Sequence, residues 1–118
     1  MQGANDGLWD WKLDSNEIFF SPRWLSMLGY TESELENRPD TWRKLVHPLD
    51  LEELSPLLED FISGRRDRYE VEFRMRHKDG HWVWILSRGK VIERNATGEP
   101  LRACGTHLDI SPQKLAEE

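Results

Sequence analysis

The sequence predicts an α+β domain: a five-stranded antiparallel sheet with several short helices packed on one face. Three observations predict it. Segments near both ends alternate apolar and polar residues with period two, as half-buried strands do. The stretch between them is punctuated by helix caps, prolines and glycines. The order is two strands, several brief helices, then three strands, with no repeat and no internal boundary. Residues 1–118 therefore read as a single domain, with its core at about 7–110 and the start of a linker helix at 111–118.

Leu8-Trp-Asp-Trp-Lys-Leu13 alternates, Asp14-Ser-Asn16 supplies turn chemistry, and Glu17-Ile-Phe-Phe20 returns, which predicts a hairpin. Ser21-Pro22 opens a helix with a hydroxyl cap and a first-turn proline; Trp24, Leu25 and Leu28 fall at helical spacing and Gly29 stops it. Thr31-Glu-Ser-Glu34 reads as a capping box, predicting a short helix to about Asn37, broken by Arg38-Pro39. Asp40 to Val46 is another brief helical turn.

Asp50 with Glu53 is expected to cap the longest helix, Leu51 to Ser63, with Leu54, Leu57, Leu58, Phe61 and Ile62 on its buried stripe and Gly64 as its stop. Pro56 lacks an N–H, so the helix should either begin after Ser55 or kink there. Tyr69 to Arg76 is a strand, Lys78-Asp79-Gly80 a hairpin turn, and His81 to Glu93 a long second strand. Asn95-Ala-Thr-Gly98 turns into the last strand, Leu101 to Ile110.

Composition narrows the function. A net charge of −6, from 22 acidic and 16 basic residues, argues against a nucleic-acid groove. The basic tract Arg65-Arg66-Asp67-Arg68 is interrupted by an acid and reads as a solvated loop, and Glu32, Glu34 and Glu36 read as a solvated helix. No apolar run approaches the ~20 residues of a membrane helix, and the N-terminus lacks a signal-peptide plan, so no membrane contact by the domain is expected. The single cysteine, Cys104, excludes an intrachain disulfide and a multi-cysteine zinc site, and fits a reducing cytoplasm. His77 and His81 flank a turn with no third ligand evident in the sequence, so no metal is assigned. No Ser-His-Asp or paired-carboxylate arrangement can be argued from spacing, so no catalytic residue is assigned.

The segments Gly7-Leu-Trp-Asp-Trp11, Phe20-Ser-Pro-Arg-Trp24, Met27-Leu-Gly-Tyr30 and Trp42-x-x-x-x-His47-Pro48-x-Asp50 occur in order. Lys78-Asp-Gly80, Trp84, Arg94-Asn-Ala-Thr-Gly98 and Gly105-Thr-His-Leu-Asp-Ile-Ser111 follow them. Together they resemble the PAS/PAC sensor modules of bacterial signalling proteins over nearly the whole chain. The resemblance implies a sensory or signal-relay module in a protein whose output domain is a cyclic di-GMP cyclase or phosphodiesterase, or a histidine kinase. The signatures of those output activities are absent from these residues. A ligand-free dimerisation scaffold is the alternative reading.

Alternation assigns two faces to the sheet. Trp9, Trp11 and Leu13, then Val71, Phe73 and Met75, then Val83, Ile85, Ser87 and Gly89, and finally Ala103, Gly105 and His107 should face the helices, because an unpaired buried charge is costly. A small ligand would then be lined by Trp11, Phe20, Leu28, Trp42, Leu45, Phe73, Ile85, Ser87 and His107. On the other face Trp82, Trp84 and Leu86 form an apolar patch expected to meet a flanking helix or a second protomer of a homodimer. The resemblance makes Asp109-Ile110-Ser111 the transmission motif. It implies that Asp109 pairs with a basic group near the turn between the third and fourth strands; the plainer alternative is that Ser111, followed by Pro112, caps the terminal helix.

His107 resembles in position a flavin-contacting glutamine of light-sensing relatives; the plainer alternative is a core histidine hydrogen-bonded to a neighbour. A pH-sensing role is also conceivable for it. His47, ahead of Pro48, is read as setting the helix entrance and not as a haem ligand. Cys104 should face outward, away from where a covalent flavin would sit, so neither haem nor covalent flavin is expected as a cofactor.

Overall fold

The computed structural model describes residues 5–117, so the outermost residues of the expected domain, 1–4 and 118, lie outside the described ones. The chain runs through β1 (Gly7–Lys12), β2 (Glu17–Phe20), α1 (Pro22–Met27), α2 (Pro39–Leu45), α3 (Pro48–Ser63), β3 (Arg68–Arg76), β4 (Trp82–Arg94), β5 (Pro100–Asp109) and α4 (Ser111–Glu117). The strands make one antiparallel five-stranded sheet in the order β2-β1-β5-β4-β3. Helices α1 and α3 pack on the face carrying Trp9, Phe73, Ile85 and Ala103. Helix α4 lies apart from that layer: Lys114 reaches Trp84 and Glu72 on the opposite face of the sheet.

One row of residues organises the inner face. Phe20, Trp9, Gly105, Gly89 and Tyr69 are direct neighbours across β2, β1, β5, β4 and β3. The two central strands contribute only glycine, and the Trp9 indole lies over both. It reaches far enough to stack on Tyr69, with ring centroids 6.3 Å apart. A Cβ at Gly105 would collide with the Arg88 carbonyl oxygen and with the indole itself.

The helices are tied to this sheet by a few polar joints. Ser21 caps α1 by accepting from the Trp24 N–H, and the same hydroxyl accepts from the Leu8 N–H at 2.8 Å, joining α1 to β1. His47 caps α3: its Nδ1 accepts the Leu49 N–H at 3.1 Å, with Pro48 in the first turn. The cap is thus His47 and not Asp50, and the helix begins three residues earlier than its acidic residues indicate. Asp50 is drawn instead to β3, where it accepts from the Arg74 backbone N–H at 2.8 Å and from Arg74 Nε and Nη2 at 3.0 and 2.7 Å. Those bonds hold its carboxyl below the ordinary carboxylate range, against the opposing pull of partial desolvation.

Helix α3 runs unbroken through the exposed Pro56, so the late start does not occur; the proline leaves the Glu52 carbonyl without its usual helical donor. Gly64 ends the helix in the left-handed conformation, φ 87°. Around Thr31 no helix forms. The Glu34 side chain does bond back to the Thr31 N–H, but only a turn results, because Glu34 also pairs with Lys78 and Arg38-Pro39 follows closely. Glu32, Glu34 and Glu36 are therefore exposed turn residues and not a solvated helix.

The predicted faces are otherwise as found. Val83, Ile85, Ser87 and Gly89 are buried, and Cys104 lies on the other face between Asp10 and Lys90. Gly105→Ala should destabilise the fold by about 2 kcal/mol, the cost of overpacking a tight site, seen as a lower urea midpoint with an unchanged slope. An unaltered midpoint would mean that the indole is free to lift off the sheet.

Candidate functional site

Between the sheet and helices α2 and α3 lies a cavity of about 50 Å³, lined by Trp9, Trp11, Phe20, Trp24, Trp42, Tyr69, His107 and neighbouring α2 and α3 residues. Four of the nine sequence-derived pocket residues line it: Trp11, Phe20, Trp42 and His107. Leu28, Phe73, Ile85 and Ser87 are instead consumed in the packed core, and Leu45 is half-buried away from the cavity. Trp9, Trp24 and Tyr69 were missed as lining residues. Register is the missing information, because only the glycine row lets Trp9 reach across to Tyr69.

His107 is 3% exposed, and its described contacts are aromatic: Trp24 and Phe73, each with ring centroids 5.6 Å away. Among the described residues none hydrogen-bonds its ring. Its cross-strand neighbours explain why: one is Gly7, without a side chain, and the other is Ser87, whose hydroxyl is shared with Tyr69 Oη at 3.2 Å. Desolvation pushes the imidazole down to about 3. Two further polar atoms beside it are buried without an acceptor among the described residues, the indole nitrogens of Trp9 and Trp24. The Trp9, Trp24 and His107 rings thus line one small cavity, and the two indole N–H groups have no acceptor among the described residues.

The second part of the site is the strand-to-helix junction. The Ile110 N–H donates to the Trp84 carbonyl at 2.9 Å, and the Trp84 N–H donates to Ser111 Oγ at 3.0 Å. Ser111 therefore does not cap its own helix; its hydroxyl extends the β4–β5 ladder. The expected pairing of Asp109 with a basic group is also absent among the described residues. Asp109 Oδ1 accepts the Ser111 N–H at 2.9 Å, so its carboxylate serves the first turn of α4.

The outer-face aromatics are less open than alternation implies, and each is half-buried. Arg76 and the His47 ring cover Trp82, at 5.2 and 4.6 Å from its centroid. Arg74 and Lys114 lie over Trp84 at 5.3 and 4.9 Å. Long cationic side chains shield what the alternation leaves bare.

An antiparallel sheet of this order, helices over an aromatic cavity and a closing strand that feeds a helix define a sensor-type α+β fold. The sequence profile described as the PAS fold matches residues 17–107, and the chain belongs to that family. It is a sensor domain of the kind carried by signalling proteins such as histidine kinases and diguanylate cyclases. The two-component sensor PprA of Pseudomonas aeruginosa is 30% identical over 103 residues, covering 85% of this chain and 10% of that protein. The probable diguanylate cyclase DgcE of Escherichia coli is 33% identical over 91 residues, 77% of this chain and 8% of the relative. The chain thus spans about a tenth of the length of these curated relatives. Among solved structures, the sensory box histidine kinase/response regulator of Burkholderia thailandensis superposes with a TM-score of 0.81 at 34% identity, covering 98% of this chain and 84% of that one.

The low value at His107 has a thermodynamic consequence. A histidine whose folded value lies below its unfolded one contributes stability that is present above the unfolded value, about 6.5, and is lost as pH falls toward 3. Stability should therefore decline between pH 6.5 and 4.5, by up to about 1.4 kcal/mol per unit, and His107→Gln should flatten that segment in pH-dependent urea denaturation. A slope that persists in the variant would assign it to other groups.

Proposed function

We propose that this domain is a cytoplasmic sensory or signal-relay module. A compact polar ligand or a partner acts on the cavity beside His107, and the change passes through Asp109, Ile110 and Ser111 to an output domain, a histidine kinase or a cyclic di-GMP cyclase or phosphodiesterase. The domain itself carries out no catalysis. The observation that carries this reading is the double hold on Trp84 by Ile110 and Ser111, because a shift of β4 cannot leave the start of α4 in place. His107 stands two residues before Asp109 on the same strand, so one wall of the cavity and the helix cap move together.

A cavity of about 50 Å³ suits one or a few waters or a ligand of a few atoms, well below the ~300 Å³ at which drug-sized sites begin. Haem or flavin would need the core to open. The two indole N–H groups without an acceptor among the described residues favour an occupant that accepts a hydrogen bond. Such a ligand switches the module only if it binds the two states with different affinity.

The small volume also supports a second reading, a ligand-free scaffold that brings output domains together as a homodimer through the face bearing Trp82, Trp84 and Leu86. Native mass spectrometry separates the two. A retained small molecule on the monomer or dimer supports the sensor, whereas an empty dimer that Trp82→Ala dissociates supports the scaffold.

Transmission has its own test in the signalling protein that carries the domain. Asp109→Ala and Ser111→Ala should each uncouple output from stimulus while leaving thermal stability within about 1–2 kcal/mol, the loss expected for a cap or one hydrogen bond. Asp109→Asn keeps an acceptor for the Ser111 N–H and should retain coupling. Full stimulus dependence in both alanine variants would count against the junction.

A further inference from the structure

The turn between β3 and β4 holds a cluster that the sensor reading does not use. We propose that His77, Asp79 and His81 form a binding site for a divalent first-row transition ion, with Zn²⁺ as its representative. Each residue offers a ligand atom, and those atoms lie within 4.8 Å of one another. The sequence shows only the two histidines flanking a turn; the hairpin supplies Asp79 as the third ligand.

The backbone places all three. The His77 N–H donates to the His81 carbonyl at 2.8 Å and the Gly80 N–H to the His77 carbonyl at 2.9 Å, which brings the two imidazoles face to face, 4.4 Å between centroids and 18° between planes. The hairpin is itself anchored, since the Lys78 N–H donates to the Leu28 carbonyl at 2.8 Å and the His77 ring lies against Gly29. The ligands therefore need little reordering on binding.

The contacts inside the cluster already gather the ligand atoms. His77 Nδ1 accepts the Asp79 N–H at 3.1 Å, so in this arrangement it carries no proton. The same nitrogen lies 3.1 Å from Asp79 Oδ1, which is also an acceptor. That oxygen faces His81 Nδ1 as well, at very short range. A metal ion here would take the Nδ1 lone pair in place of the Asp79 N–H and bond the carboxylate oxygen beside it. Ligands at about 2.0–2.2 Å from a tetrahedral ion stand roughly 3.4 Å apart, close to the His77–Asp79 separation.

Two imidazoles and a carboxylate select Zn²⁺, Co²⁺, Ni²⁺ or Cu²⁺ over Mg²⁺ and Ca²⁺, which take oxygen ligands. The side chains of His81 and Asp79 are 58% and 64% exposed, which leaves a fourth position open to water or to a donor from a partner.

The test is calorimetric titration of the chelator-treated chain with Zn²⁺, with Co²⁺ absorption as a second readout. The expected result is one saturable equivalent, undisturbed by millimolar Mg²⁺, and a Co²⁺ band in the visible. His81→Ala and Asp79→Asn alter exposed side chains and should keep the fold by circular dichroism, yet each should weaken Zn²⁺ binding at least 10-fold. Absence of saturable binding, or equal affinity in both folded variants, would overturn the assignment.

Discussion

The inner face depends on the Trp9 indole lying flat in a trough that two glycines leave open. Gly105 and Gly89 bring no side chain to the middle of the sheet, so an aromatic ring from β1 can span β5 and β4 and meet Tyr69 on β3. That one placement closes the floor of the cavity and leaves its indole nitrogen buried without an acceptor among the described residues. Beside it, Gly7 lets Trp24 of α1 close over His107. Small residues at the centre and large ones at the flanks thus leave a narrow, mostly apolar space between sheet and helices.

A second constraint joins the helices to that core. Asp50 and His47 sit at the start of α3, and both engage Arg74 of β3: the carboxylate through three hydrogen bonds, the histidine through its backbone N–H to the Arg74 carbonyl at 2.9 Å. The His-Pro-x-Asp motif is therefore a hinge pin between helix and sheet. The same arginine lays its guanidinium over Trp84 on the other face. Cavity side, helix start and junction strand meet at this residue.

Much of this was legible in the sequence. Period-two alternation placed all five strands to within a residue or two, because side-chain direction in a strand depends on parity alone. What escaped was set by partners far along the chain. Asp50 has the local form of a helix cap, yet Arg74, 24 residues away, offers it three donors and wins. Glu34 bonds back to the Thr31 N–H, but the Thr31 hydroxyl donates to the same carboxylate oxygen instead of accepting the Glu34 N–H, Lys78 takes the other oxygen, and no helix grows. In the candidate site, His107 was legible as inward-facing, whereas its cross-strand neighbours depend on the β5 register that sets it between Gly7 and Ser87, whose hydroxyl Tyr69 shares. Asp79 reads as an ordinary turn residue until the hairpin stacks His77 on His81.

The ladder that ends at Ser111 also sets an angle. Because Ile110 and Ser111 both bond the backbone of Trp84, the first residue of α4 is clamped to a strand, and the helix leaves the sheet with a defined azimuth. Each residue of an α-helix turns the next by about 100°, so one residue inserted after Ser111 would rotate every later helical position by that amount while leaving the Ile110 and Ser111 bonds in place. Whatever α4 is joined to receives a bearing as well as a tether, much as a compass card carries its needle's heading to the rim.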